Sequence, residues 1–158
     1  MMRLSPGVEW AAHAMLAMAT LPDGATASAA RLAELHALPQ ASMAKHLQAL
    51  RRADLVTGGE GRRGGYRLAR PADQITLLDV VVAIEGDAPV FACTEIRRRG
   101  QFAPPQSLVG RCGIAAAFHE AERLWRDRLA QTTLDELVGP LRTPESQPAV
   151  QWLARQAG

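Results

Sequence analysis

Leu38 to Arg70 reads LPQASMAKHLQALRRADLVTGGEGRRGGYRLAR, a helix-length segment that runs straight into a glycine-rich hairpin. Met43, Leu47 and Leu50 recur at near-helical spacing and make one apolar face, while Gln40, Ser42, Lys45, His46, Gln48, Arg51 and Arg52 fall largely on other faces. Asp54 to Thr57 predicts a short strand, Gly58 to Gly65 a turn with Arg62 and Arg63 at its tip, and Tyr66-Arg67-Leu68 the returning strand. A polar, basic helix followed at once by an arginine-tipped hairpin is the pattern of a winged helix-turn-helix. The physical match is to DNA: an α-helix fits the major groove, where base edges differ, and a thin hairpin reaches the backbone or the narrower minor groove. The other reading is a helix and hairpin of an unrelated α+β fold with a solvated charged face.

The flanking sequence supplies the rest of such a unit. A first helix is predicted from Ser5, as N-cap with Pro6 at the first helical position, to about Leu21, with Val8, Ala11, Ala12, Met15, Leu16 and Ala19 as its apolar stripe. Pro22-Asp23-Gly24 closes it, a second helix spans about Ser28 to His36, and Pro39 marks the break before the recognition helix. After the wing, Thr76-Leu77-Leu78-Asp79 reads as a capping box that opens a helix to Glu85, ended by Gly86, with Leu77, Val80, Val81 and Ile84 facing the core. The long stretch 87–112 holds Pro89, Gly100, Pro104, Pro105 and Gly110, which forbid a long regular element, and carries both cysteines, Cys93 and Cys112. Loops of this length in compact domains are either functional or disordered.

From Gly113 to Ala130, Ile114, Ala117, Phe118, Ala121, Leu124, Trp125 and Leu129 follow three- and four-residue steps, the mark of an amphipathic helix. So long a stripe after the core is built predicts a partner helix, hence a twofold dimer suited to a palindromic operator, against a monomer in which the helix covers its own domain. A short helix follows from Thr133 to about Leu141, and 142–158 is expected to be a weakly ordered tail with at most a helical turn near Trp152. The expected organisation is mainly α with a small β-hairpin wing: a winged helix-turn-helix over 1–86, a cysteine-bearing loop over 87–112, a dimerisation helix and short helix over 113–141, and a flexible tail over 142–158.

Composition agrees with this. With 158 residues, 47% hydrophobic and 22% charged, the chain can bury a core. The net charge of +2 is unevenly placed: residues 1–70 carry 9 Lys and Arg against 5 Asp and Glu, residues 71–158 carry 9 against 11. The excess of positive charge coincides with the candidate DNA reader, where phosphates need neutralising. No apolar run approaches the roughly 20 residues that span a bilayer, and Met1 to Ser5 lacks a signal peptide's regions, so a cytoplasmic protein without membrane contact is expected. Cysteines there are metal-binding, redox-active or merely buried more often than disulfide-bonded. Glu9 and His13, four residues apart on one helical face, read either as an ion pair or as two metal ligands.

Several strings resemble a known group. Met2 to Ser5, Arg63-Gly64-Gly65-Tyr66-Arg67-Leu68-Ala69-Arg70, Ile75 to Val81 with Glu85-Gly86, and Thr132-Thr133-Leu134 are similar to the Rrf family of bacterial transcription regulators, over about residues 2–141. The resemblance implies a homodimeric winged-helix repressor, not an enzyme, and many members hold an iron–sulfur cluster in the loop before the dimerisation helix. Those members typically carry three grouped cysteines; this chain has two, which excludes a cluster held by three thiolates of one chain. The Val8-Glu9-Trp10-Ala11 context and His13 resemble a redox-sensing branch whose two-iron two-sulfur (2Fe-2S) cluster takes Glu and His from one subunit and two Cys from the other. That resemblance makes Glu9, His13, Cys93 and Cys112 the implied ligands and Trp10 a neighbour able to couple redox state to DNA affinity. For DNA contact the candidates are Gln40, Ser42, Lys45, His46, Arg51, Arg52, Arg62 and Arg63. A cofactor-free, thiol- or zinc-responsive regulator is the alternative, and a small metalloenzyme using Glu9 as general base has no supporting pocket or nucleophile motif in the sequence.

Overall fold

A computed structural model describes residues 3–58, 64–105 and 110–157. The helix-turn-helix forms where the sequence places it: α1 (Pro6–Ala19), α2 (Ala29–Leu35) and α3 (Gln40–Arg52), followed by a hairpin of β1 (Val56–Gly58) and β2 (Tyr66–Leu68). The strands are antiparallel, with Val56 opposite Leu68, Thr57 opposite Arg67 and Gly58 opposite Tyr66. Local chemistry sets the ends. Ser28 caps α2 by accepting from the Arg31 N–H. At its far end Ala37 takes φ 51°, and the N–H of Leu38 donates to the carbonyl of Ala33. α3 ends the same way, with Asp54 at φ 54° and the Leu55 N–H on the Leu50 carbonyl. That closure explains why the strand starts at Val56, two residues later than the expected Asp54.

The wing is tied into the core at its base. Tyr66 is buried, exchanges backbone hydrogen bonds with Ala27 at 2.8 and 3.0 Å, and its hydroxyl accepts from Gln48 Nε2 at 3.4 Å. Beneath it Met15, Leu32, Met43, Leu47, Leu50, Ile75 and Val80 form a continuous apolar core.

α4 (Leu77–Glu85) opens with the expected capping box, Thr76 Oγ1 accepting from the Asp79 N–H and the Asp79 carboxylate accepting from the Thr76 N–H. Gly86 ends it. Ser5 donates to Glu85 through both N–H and hydroxyl, fastening the start of α1 to the end of α4. Those two bonds hold the Glu85 carboxyl below its usual range. The stretch after Gly86 has only a 3₁₀ turn, Ile96–Arg98, among its described residues.

The second half of α5 (Gly113–Ala130) is fastened to both ends of α4. Past the C-terminal end of α4, Arg126 pairs with Asp87, and the Val90 N–H donates to Glu122. At the other, Leu77 N–H donates to the Thr132 carbonyl and Leu134 N–H to the Ile75 carbonyl, both at 2.9 Å. Despite these ties the helix stands away from its own core: Ala115 alone among its residues is buried, while Ile114, Phe118 and Leu124 are 66%, 52% and 57% exposed. α6 (Leu134–Val138) then buries Leu134 and Val138. Among the described residues no helix is long and apolar enough to cross a membrane.

The expectation of a weakly ordered tail needs correction. Residues 147–156 form α7 (Gln147–Gln156), which lies against α2: Leu153 is 1% exposed within the core, and the Arg31 guanidinium sits 5.8 Å from the Trp152 ring centre. Tertiary docking, more than its ten-residue propensity, makes this helix. Leu153→Ala should therefore destabilise the protein by about 2–4 kcal/mol in urea titration, whereas a loose tail would give no change.

Candidate functional site

Two separate regions collect the polar chemistry. The first is the outer edge of α3 and the hairpin. Gln40, Lys45, Arg51 and Arg52 are exposed, and Ser42 and His46 are half-buried. Arg51 reaches back to the Gly58 carbonyl at 3.4 Å, which joins the end of the recognition helix to the wing strand. Arg62 and Arg63 lie outside the described residues.

Sequence reading passed over one member of this edge. Arg67 is exposed on β2 beside Thr57, between the buried Tyr66 and the half-buried Leu68. Strand alternation in Tyr66-Arg67-Leu68 carried that signal. Arg67→Ala should weaken binding to all DNA sequences alike and lower the slope of affinity against salt by about one phosphate contact. An unchanged slope would remove it from the interface.

His46 differs from its neighbours on α3. Its ring meets Trp10 edge-on at 5.9 Å and 79°. It also lies so close to Gly7 that a Cβ there would be 2.5 Å from its Cε1. Burial first, and then the charge of Lys45, hold its imidazole below the ordinary histidine value, so it is neutral near pH 7.

The second region is the cysteine cleft. Nineteen positions apart in sequence, Cys93 and Cys112 line one cleft of about 500 Å³ at the start of α5, with Glu95, Arg111 and His119. Within the cleft the Cys93 thiol donates to Glu95 Oε1 at 3.7 Å. Cys112 is the residue before the first turn of α5, so the Ala115 N–H above all, helped by the Ile114 N–H, the Cys93 thiol and the charge of Arg97, favours its thiolate against desolvation. The pKa of Cys112 is accordingly lowered. Arg97 spans the cleft wall by donating to Glu95 at 3.0 Å and to the Gly110 carbonyl at 3.1 Å.

Glu9 and His13 are exposed on α1 and make no ion pair with each other. Glu9 borders a cleft with Arg3 and Ser5, and the His13 ring lies 5.3 Å from that of His36, beside Leu153 of α7. Burial and the neighbouring His13 lower the pKa of His36. Within one chain, then, the four candidate ligands fall into two pairs, and among the described residues no three His, Cys, Asp or Glu side chains converge on a metal position. Glu9 and His13 are exposed, and Cys93 and Cys112 half-buried.

Comparison with known proteins follows the same lines. The family model Rrf2, described as an iron-dependent transcriptional regulator, matches residues 4–140. Protein aau3 of Rhizobium meliloti (strain 1021) is 39% identical over 107 residues, which cover 68% of this chain and 66% of that relative, just under two thirds of its length. Among solved structures, CymR, the global cysteine regulator of B. subtilis, superposes with a TM-score of 0.69 at 21% identity, covering 87% of this chain and 97% of CymR. IscR of T. potens gives a TM-score of 0.65 at 19% identity, with 89% of each chain covered. At such identities the likeness establishes the shared winged-helix fold.

Proposed function

Since this chain belongs to the Rrf2 family of DNA-binding transcriptional regulators, we propose that it is a homodimeric repressor whose operator affinity is switched by a two-iron two-sulfur cluster. The observation that carries this proposal is the cysteine cleft: two thiols from distant positions meet at the start of the helix left uncovered by its own chain. The finer likeness is to the redox-sensing regulator RsrR. Cys93 and Cys112 would supply two thiolates, and Glu9 and His13 of the partner subunit the carboxylate and imidazole. Such a donor set fits: neutral imidazole in place of thiolate makes a cluster less negative and raises its reduction potential, which is the chemistry the group would supply.

The rest belongs to the protein. The apolar stripe of α5, with Ile114, Phe118 and Leu124, joins the two subunits, as such exposed stripes do. Trp10, between the two ligands of α1, passes their state to the DNA-reading unit. Gln40, Ser42, Lys45, Arg51 and Arg52 face the operator, with Arg62, Arg63 and Arg67 on the wing. This would take place on cytoplasmic DNA, with a palindromic site matching the twofold dimer.

The test is the visible spectrum of anaerobically purified protein with iron and sulfide analysis, before and after mild reduction. Equal iron and sulfide with reversible bleaching is expected. Protein that stays colourless after cluster reconstitution would overturn the cluster reading. The shared cleft favours one second reading: with hydrogen peroxide as oxidant, Cys93 and Cys112 would give up two protons and two electrons to form a disulfide and two waters, and the dimer would respond to thiol oxidation.

A further inference from the structure

Position 46 lies on the polar side of the recognition helix, where a histidine is expected to face DNA. The structure turns its ring inward. It is wedged against two successive turns of α1, over Gly7 and edge-on to Trp10. A Cβ at position 7 would be 2.5 Å from Cε1 and 3.1 Å from each ring nitrogen, and neither nitrogen has a hydrogen-bond partner among the described residues. Glycine in the first turns of a helix costs stability relative to alanine, and a Cβ here would fit only if the His46 ring swung away. The ring thus has the surroundings of a packing element.

We infer that His46 is a positioning residue: it seats the recognition helix α3 on α1 through Gly7 and Trp10, and sets the angle at which Gln40, Ser42 and Lys45 meet DNA. Edge-to-face aromatic pairs at this separation favour one relative orientation. Through this seat the position of α1 bears on that of the reader. Trp10 lies between Glu9 and His13, so a displacement of α1 at those residues moves the wall against which His46 rests; that last step rests on the ligand assignment proposed above.

The test uses the full-length dimer and a duplex selected by the wild-type protein from a random library, read by fluorescence anisotropy. His46→Ala should lower affinity about three- to tenfold, the equivalent of losing such an aromatic contact. The ranking of single-base-pair variants of the duplex and the salt slope should not change. Gly7→Ala, which pushes the ring off its seat, should give a similar loss. Because both changes act on one contact, Gly7→Ala combined with His46→Ala should be no worse than His46→Ala alone. Relaxed discrimination at one base pair in His46→Ala, or losses that add in the double variant, would overturn the inference in favour of a base reader. If His46→Ala does not fold, as judged by circular dichroism, the base-pair ranking of Gly7→Ala decides. A wild-type protein that selects no duplex refutes the operator-binding reading itself, a separate outcome.

Discussion

Cys93→Ser combined with Cys112→Ser should give a protein that folds and dimerises but carries no acid-labile sulfide and no visible colour after anaerobic reconstitution. Serine is close in size to cysteine and both positions are half-exposed at the cleft, so stability should change by less than about 0.5 kcal/mol. The loss falls on the cluster, because thiolates are its strong ligands. Glu9→Ala with His13→Ala should likewise abolish the colour. The decisive measurement mixes the two colourless proteins through unfolding and refolding together. If each cluster takes its carboxylate and imidazole from one subunit and its thiolates from the other, the mixed dimer has one intact ligand set and turns coloured. If all four ligands come from one chain, no dimer in the mixture has an intact set and the solution stays clear. Retained colour in the serine variant would sink the assignment of the cysteines.

Gly58→Val should be the most damaging single change in the hairpin, at about 2–4 kcal/mol. Gly58 closes β1 at φ 108°, a conformation that side-chain-bearing residues rarely adopt, and a Cβ there would run into the backbone carbonyl oxygen of Gly65, the residue before β2. Neither obstacle can be met by rotating a side chain, so the ladder next to Tyr66 must open. Because Tyr66 anchors the wing in the core, affinity for DNA should fall along with stability. Thr57→Val, one residue earlier and exposed, is the control and should be close to neutral. Urea titration and anisotropy read both, and a Gly58→Val protein as stable as the wild type would show that the hairpin closes differently.

What the sequence made legible was mostly local. Pro6, the Thr76–Asp79 box and Gly86 act through atoms within four residues, so helix ends could be placed from a short window, whereas the side chain of Ser5, at the N-cap position of α1, bonds Glu85 and not its own helix. The run from Ile114 to Leu129 showed its period because it is exposed on a helix of 18 residues. α7 escaped because Val150, Leu153 and Trp152 make too brief a pattern, and its order comes from docking on α2. The strand start was misplaced because Asp54, and not a glycine, takes the left-handed position after α3. At the site, residue types could be named but not their neighbours. Nothing in a spacing of 19 positions tells that Cys93 and Cys112 line one cleft, and nothing in helical periodicity tells that His46 folds back onto Gly7. Arg67 was legible by alternation and was passed over for the more conspicuous arginine pair at the tip.

The two fastenings of α5 bear on operator architecture. With its second half tied at two places, through Asp87 and Arg126 and, just beyond its last turn, through Ile75, Leu77, Thr132 and Leu134, the helix is rigidly joined to the unit that carries the readers. If the proposed dimer joins along α5, it behaves as a fixed caliper with little torsional play. Inserting one base pair at the centre of the operator shifts one half-site by about 3.4 Å and rotates it by about 35°. A caliper of this kind cannot follow that rotation, so helical phase between half-sites becomes as strict a requirement as their base sequence.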